Sequence, residues 1–351
     1  MNLKSLSRES LHAFFENQGL PKYRAAQLIH WMYDKHATNI DMISEFPKEL
    51  RSRLNDIAYI STLKLLERQQ SSDGAKKFLF ELEDGHTIEA VYIPEEDRAT
   101  LCVSSQAGCA MGCRFCLTGM LGLSRDLQAC EIVDQIIAVN RLVFPGKVNN
   151  LVFMGMGEPL ANFVQVVDAL WKIVDFMGIS KRRITVSTAG IVPKIPLFRT
   201  HAPEVNLAVS LNAANDQSRS ELMPVNKKYP MISLIEACRK YPLGRGRKIT
   251  FEYVLIDGKN SSPEDALKLG RLLRGIRCKV NLIPLNPFPG SDLKPPADEG
   301  ILTFQDILVK NGIMTFIRRS RGRDILAACG QLKAGHTEKK KGGIRILPPT
   351  P

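Results

Sequence analysis

Cys109-Ala110-Met111-Gly112-Cys113-Arg114-Phe115-Cys116 supplies three thiols from one short loop, in a C-x3-C-x2-C spacing with no fourth cysteine beside it. A closed structural zinc site takes four ligands and a ferredoxin-type 4Fe-4S cube takes four cysteines. A triplet therefore leaves one metal position open for a substrate or cofactor. The rival is a zinc site completed by a distant histidine, such as His86 or His201.

Working outward from the loop, short apolar runs alternate with helical stretches. Strands are predicted at Leu101 to Ser104, Asn150 to Met154, Ile184 to Ser187, Val205 to Leu211, Ile249 to Leu255 and Val280 to Pro284. Helices are predicted between them, at Leu127 to Leu142 and Pro263 to Gly275 for example. Six strands alternating with helices imply an α/β fold with a parallel sheet and right-handed crossovers. Six units fall short of the eight-unit barrel, so the expectation is an open, partial (β/α)6 barrel over residues 100–332. Residues 71–99 read as a β-hairpin, with Lys77 to Leu82 and Thr87 to Ile93 joined at Glu83-Asp84-Gly85-His86. Residues 1–70 read as a helical domain: Leu28, Ile29, Met32 and Tyr33 share one face, and Pro47 opens a helix carrying Leu50 and Leu54. The stretch 333–351, rich in Lys, Gly and Pro, reads as a mobile basic tail.

Composition limits the class. With 44% hydrophobic and 24% charged residues over 351 positions, the chain has the makings of a large core. No apolar run is long enough to span a membrane, and charged residues interrupt the first twenty positions, so a soluble, unexported, cytoplasmic chain is expected. Eight cysteines in a chain of this length do not resemble a secreted disulfide framework. The net charge of +12 gathers in patches at Lys181-Arg182-Arg183, Arg245 to Lys248, Arg318 to Arg323 and Lys339-Lys340-Lys341, pointing to a polyanion such as nucleic acid. Lys22 and Arg24, at the start of a basic helix, are expected on the surface that faces such a polyanion.

In parallel α/β folds, functional groups gather at the carboxyl ends of the strands. The unusual residues sit there. Cys109 to Cys116 follow the first strand, Met154 to Pro159 end the second, and Ser187-Thr188-Ala189-Gly190 end the third. Ser210-Leu211-Asn212 end the fourth, and Asn286 to Gly290 follow the sixth. Glu158, a carboxylate straight after a Gly-Met-Gly turn, is hard to explain by packing. Taken alone, Cys102 and Cys329 read as inert thiols, as do Cys130, Cys238 and Cys278.

Ser104 to Cys109, the triplet, Met154 to Leu160, Leu222-Met223-Pro224, Asn281 to Pro284 and Ala327 to Leu332 occur in an order that resembles the RlmN/Cfr family of radical S-adenosylmethionine RNA adenosine methyltransferases, over about residues 20–332. The resemblance implies that Cys109, Cys113 and Cys116 hold a 4Fe-4S cluster with S-adenosylmethionine on its open iron. It implies that Cys329 accepts a methyl group and carries it to the RNA, and that Cys102 resolves the protein–RNA adduct by forming a disulfide with Cys329. The arginines 318, 319, 321 and 323 are expected to lower the Cys329 pKa. Glu89 matches the base that deprotonates the adenine carbon. Gly157 and Glu158 match the contacts to the amino end of S-adenosylmethionine, and Ser187, Ser210, Leu211, Asn212 and Asn286 its remaining contacts.

The implied reaction is methylation at C2 of an adenosine in the peptidyl-transferase centre of 23S rRNA, with the adenosine beside the tRNA anticodon as a second substrate of some members. The alternative is methylation at C8, as in Cfr-type resistance enzymes. Pro159 after Glu158, and Pro284 in Ile283-Pro284-Leu285-Asn286-Pro287, follow the C2 pattern. A flavodoxin or ferredoxin as electron donor, a monomeric state and no membrane partner complete the expectation. Outside the family stand a radical enzyme that activates another protein and a zinc-dependent RNA-binding module.

Overall fold

In the computed structural model, which describes residues 1–333, apolar runs with a two-residue period have become one ten-stranded sheet. Its strands are β1 (Lys64–Gln70), β2 (Lys76–Glu81), β3 (Thr87–Pro94), β4 (Ala99–Cys102), β7 (Asn150–Phe153), β8 (Ile184–Thr188), β9 (Asn206–Ser210), β10 (Ile249–Leu255), β11 (Cys278–Pro284) and β12 (Thr315–Ile317), paired in that order. A separate two-stranded ladder joins β5 (Gln106–Gly108) to β6 (Leu123–Asp126). β1 to β4 form an antiparallel meander, and every pairing from β4 to β12 is parallel. Since β1 and β12 stand at opposite ends of the order, the sheet stays open, as a partial barrel does.

Helices cover the parallel part: α4 (Leu117–Leu121), α5 (Ala129–Val143), α6 (Phe163–Asp175), α7 (Lys194–His201), α8 (Asp216–Leu222), α9 (Met231–Lys240), α10 (Pro263–Leu272) and α11 (Asp298–Lys310). Local chemistry sets their starts. Gln128 and Glu131 form a capping box at α5, while Ser262 and Asp265 do so at α10, with Pro263 at its first position. Ile132, Val133, Ile136 and Val139 of α5 are fully buried against the sheet, whose strands contribute Leu151, Val186, Val209, Phe251 and Leu282.

At the amino end, α1 (Arg8–Asn17), α2 (Tyr23–Tyr33) and α3 (Lys48–Ile57) enclose Leu11, Phe15, Leu28, Met32 and Leu54. A buried ion pair between Lys4 and Asp134 of α5 joins these helices to the barrel, with Ser61 donating to Asp134 at 2.6 Å. The helical reading of residues 1–70 fails in its last part. Residues 64–70 form edge strand β1, because backbone pairing with β2 overrides the helix-favouring run Leu65-Leu66-Glu67-Arg68-Gln69. Leu65 and Leu66 remain exposed, so no buried face had marked the strand. All but Lys333 of the expected 333–351 tail lies outside the described residues.

Candidate active site

Strands β5 and β6 pinch the cysteine loop at its base, where Cys109 N–H donates to the Gly122 carbonyl at 2.8 Å. Cys109 and Cys113 are buried, Cys116 is half-buried, and all three line one cavity of about 920 Å³ counted with its open mouth. Burial pushes the Cys109 thiol up to about 12 and raises Cys113 and Cys116 as well. Backbone N–H groups oppose that shift, from Met111 and Gly157 at Cys109 and from Gly119 and Thr118 at Cys116. Thiols that burial keeps protonated bind metal by exchanging that proton for it, and N–H donors aimed at sulfur stabilise the resulting thiolate.

The rest of the cavity comes from strand ends. Gly157, Glu158, Ser187, Ser210, Asn212 and Asn286 all line it. Gly157 sits at φ 102°, and a Cβ there would meet the Gln106 side chain at 2.6 Å, so the backbone passes where no other residue fits. Glu158 is buried; its two carboxylate oxygens accept N–H groups of Leu160 at 2.9 Å and Ala189 at 2.6 Å, lashing the second strand end to the third. Desolvation still raises its pKa. Leu211 is the expected contact that does not line the cavity; its backbone is used instead, with N–H on the Glu252 carbonyl and its own carbonyl on Arg219.

The segment carrying Cys329 is fastened onto the cysteine loop. Leu117 N–H donates to the Gly330 carbonyl at 2.7 Å and the Thr118 hydroxyl to the Leu332 carbonyl at 2.6 Å. Gly330, at φ 83°, leaves no room for a Cβ, which would stand 2.8 Å from the Phe115 carbonyl. Cys329 is thereby placed on the cavity lining beside the triplet, still solvent-accessible. Cys102, at the end of β4, packs with Val91, Met156, Ala327 and Leu332. Both thiols are free, and each lies within the field of its neighbours: Cys329 adds to the upward shift that burial imposes on Cys102.

Two expectations about this region change. The arginine run does not lower the Cys329 pKa overall; surrounding protein, then the Glu252 carboxylate, push it up to about 11 against a smaller pull from Arg318. Arg323 instead donates to Asn286 Oδ1 at 3.1 Å, Arg321 to the Asp73 carbonyl, and Arg319 faces Asp298. Asn286 spends its amide on the Ser320 hydroxyl and the Cys329 carbonyl, so in this state it positions Cys329. Glu89 lies on β3, buried, outside the cavity lining, paired with Lys77 at 3.2 Å and accepting Lys333 N–H at 2.7 Å.

Farther out, Arg24 is turned inward, donating to Gln27 and the Glu45 carbonyl and covering the rings of Tyr23 and Phe46, while Lys22 pairs with Glu16. His86 and His201, the histidines of the zinc alternative, sit on the hairpin turn and at the end of α7, outside the cavity lining.

Sequence reasoning passed over three side chains that build the site. Arg219 on α8 is fully buried, donating to the carbonyls of Leu211, Ser210 and Ala189 and to Asn226 Oδ1. Asn260 ties the ends of the fourth and fifth parallel strands together by donating to the carbonyls of Asn212 and Val254 and accepting Ile256 N–H. Glu252 lines the cavity from β10, 8% exposed, with Oε1 held by Asn281 Nδ2 at 2.9 Å. Glu252 had a signal, a single carboxylate in the apolar run Ile249-Thr250-Phe251-Glu252-Tyr253-Val254-Leu255. Arg219, in Asp216-Gln217-Ser218-Arg219-Ser220-Glu221, reads as a surface residue and had none.

Three thiols, a glycine cradle and buried carboxylates around a cavity of nucleoside scale fit an iron–sulfur cube with a cationic sulfonium ligand. An open parallel sheet with this loop after its first parallel strand defines a radical S-adenosylmethionine enzyme, and the Radical SAM superfamily model matches residues 103–270. The ribosomal RNA large subunit methyltransferase N-terminal domain model matches residues 1–60. The chain is 47% identical over 343 residues to the dual-specificity RNA methyltransferase RlmN of Syntrophus aciditrophicus, covering 97% of this chain and 98% of that protein. It is 47% identical over 345 residues to that of Geobacter sulfurreducens, covering 98% and 95%. The crystal structure of a radical SAM methyltransferase from Sphaerobacter thermophilus superposes with a TM-score of 0.91 at 45% identity, over 95% of this chain and 99% of that one. The chain belongs to the RlmN family of radical SAM RNA methyltransferases.

Proposed function

We propose that the protein methylates C2 of an adenosine in the peptidyl-transferase centre of 23S rRNA, with the adenosine beside the tRNA anticodon as a second substrate. The observation that carries this reading is Cys329 on the lining of the triplet's cavity, with Cys102 within its electrostatic reach. When bound, the cluster and S-adenosylmethionine supply one-electron cleavage of the sulfonium to a carbon radical.

The protein's own groups divide the remaining work. Cys109, Cys113 and Cys116 hold the cluster, and Gly157, Glu158, Ser187, Ser210 and Asn212 surround its ligand. Cys329 receives the methyl group, its carbonyl fixed by Asn286. Cys102 frees the product by forming a disulfide with Cys329. Glu89 takes the proton from the adenine carbon once a bound base draws it from Lys77 and Lys333. The net charge of +12 supports a polyanionic substrate, and Pro159 and Pro284 favour C2 over C8. A reduced flavodoxin or ferredoxin supplies the electron, and the enzyme works as a cytoplasmic monomer; no helix among the described residues is long and apolar enough to cross a membrane.

The test is anaerobic reaction of the reconstituted enzyme with unmodified 23S rRNA and with tRNA, followed by nucleoside mass spectrometry. 2-Methyladenosine is expected, lost in Cys329→Ala, with RNA covalently retained on protein in Cys102→Ala. 8-Methyladenosine, or full turnover by both variants, would refute the proposal.

A further inference from the structure

Arg219 is a buried cation to which no carboxylate among the described residues is hydrogen-bonded. Its side chain is 0% exposed, and its hydrogen bonds run at 3.0 Å to the Leu211 carbonyl, 2.6 Å to the Ala189 carbonyl, 3.2 Å to the Ser210 carbonyl and 2.9 Å to Asn226 Oδ1. None of these acceptors is a carboxylate. Removing a guanidinium from water is costly unless a charge of opposite sign compensates it, and carbonyl dipoles offset only part of that cost. Burial depresses the Arg219 pKa to about 10, which leaves it a cation at neutral pH.

The cysteine loop lies on the other side of a thin wall. Cys113 shares one buried apolar cluster with Ala189, Leu222 and Met223; Arg219 holds the Ala189 carbonyl, and the latter two residues complete its own helical turn. The residue after Cys113 is tied to the same turn, Arg114 N–H donating to the Leu222 carbonyl at 3.0 Å. A cube held by three thiolates is the largest anionic group this wall can face.

We propose that Arg219 is the internal counter-charge of the cluster and sets its reduction potential. The inference rests on the reading that Cys109, Cys113 and Cys116 hold a 4Fe-4S cluster. A fixed cation beside a cysteine ligand stabilises the more negative, reduced cube, raising the potential that an electron donor must meet, since net charge is one of the levers on iron–sulfur potentials. The same guanidinium binds the carbonyls of two cavity-lining residues, Ala189 and Ser210, so one side chain both shapes the ligand pocket and adjusts the cluster beneath it.

The test is a redox titration of the reconstituted protein followed by electron paramagnetic resonance, without substrate RNA. Arg219→Gln removes the charge, Arg219→Lys keeps it with fewer bonds, and the double exchange Asp216→Asn with Asn226→Asp places a carboxylate directly on the guanidinium. That exchange leaves total charge unaltered and is the deciding variant if Arg219→Gln fails to fold, because Asn226 already bonds both Arg219 and Asp216. At a fixed applied potential, Arg219→Gln and the double exchange are expected to hold about tenfold less reduced cluster than wild type, equal to a fall of about 59 mV for one electron, with Arg219→Lys close to wild type. Unchanged potentials in the folded charge-altering variants, or an equal fall in Arg219→Lys, would overturn the proposal. Iron content and visible absorbance test the underlying cluster reading separately: a wild-type protein that binds no iron refutes that reading, whereas loaded variants with unshifted potentials refute only the role of Arg219.

Discussion

Cys329 shows how position in the fold, not the charges beside it in sequence, governs the acidity of a thiol. Its thiol is held up at about 11 by the protein around it and by Glu252, against the pull of Arg318. At neutral pH the thiol is then overwhelmingly protonated, and each pH unit below that pKa changes the thiolate fraction about tenfold. In metal-free protein, alkylation of Cys329 by iodoacetamide is therefore expected to rise about tenfold per unit from about pH 7 to 10. A levelling-off by about pH 9.5, read by peptide mass spectrometry, would show an ordinary thiol and contradict the arrangement. The sequence named Cys329 through the motif Ala327-Ala328-Cys329-Gly330-Gln331-Leu332. Its pKa was misread because four arginines close in sequence do not point at one sulfur. Glu252, distant in sequence, does act on it.

Among the elements, those with a buried face were legible and those without one were not. The parallel strand Ile249–Leu255 and the hairpin strands near Lys76–Glu81 and Thr87–Pro94 stand where alternation and turn residues put them. β1, β5, β6 and β12 escaped notice: β1 is an exposed edge, and the others run to four residues or fewer and exist through pairing with partners set by the rest of the fold. The same holds for the link between the amino-terminal helices and the barrel. Lys4 and Asp134 are 1% and 2% exposed, and their pairing spans 130 positions, beyond the reach of any local pattern. Lys4→Ala leaves the Asp134 carboxylate buried without its cation and is expected to destabilise the protein by about 3–5 kcal/mol, read by urea unfolding. A loss below about 1 kcal/mol, the range of exposed pairs, would show that this pair does not hold the two parts together.

For the whole molecule, the sheet serves as a frame that delivers chemistry from distant parts of the chain to one end. Cys109 to Cys116 arrive after β4, Gly157 and Glu158 after β7, Ser187 at β8, Ser210 at β9, Glu252 at β10, Asn286 after β11, and Cys329 from the segment beyond β12. Glu252 apart, the order of the strand-end groups was legible because strand ends in a parallel sheet share one rim. The struts between them were not: Arg219 and Asn260 reach across crossovers, and polar residues in loops look alike before the loops are closed. The central claim is that this rim joins the cluster loop to a methyl-carrying cysteine. Its most direct test is intact-peptide mass spectrometry of Cys329 from active enzyme purified from cells, with Cys102→Ala as companion. A Cys329 peptide one methyl group heavier, and an RNA nucleotide bonded to the same peptide in Cys102→Ala, are the expected results. An unmodified Cys329 thiol in protein that still methylates RNA would contradict the claim.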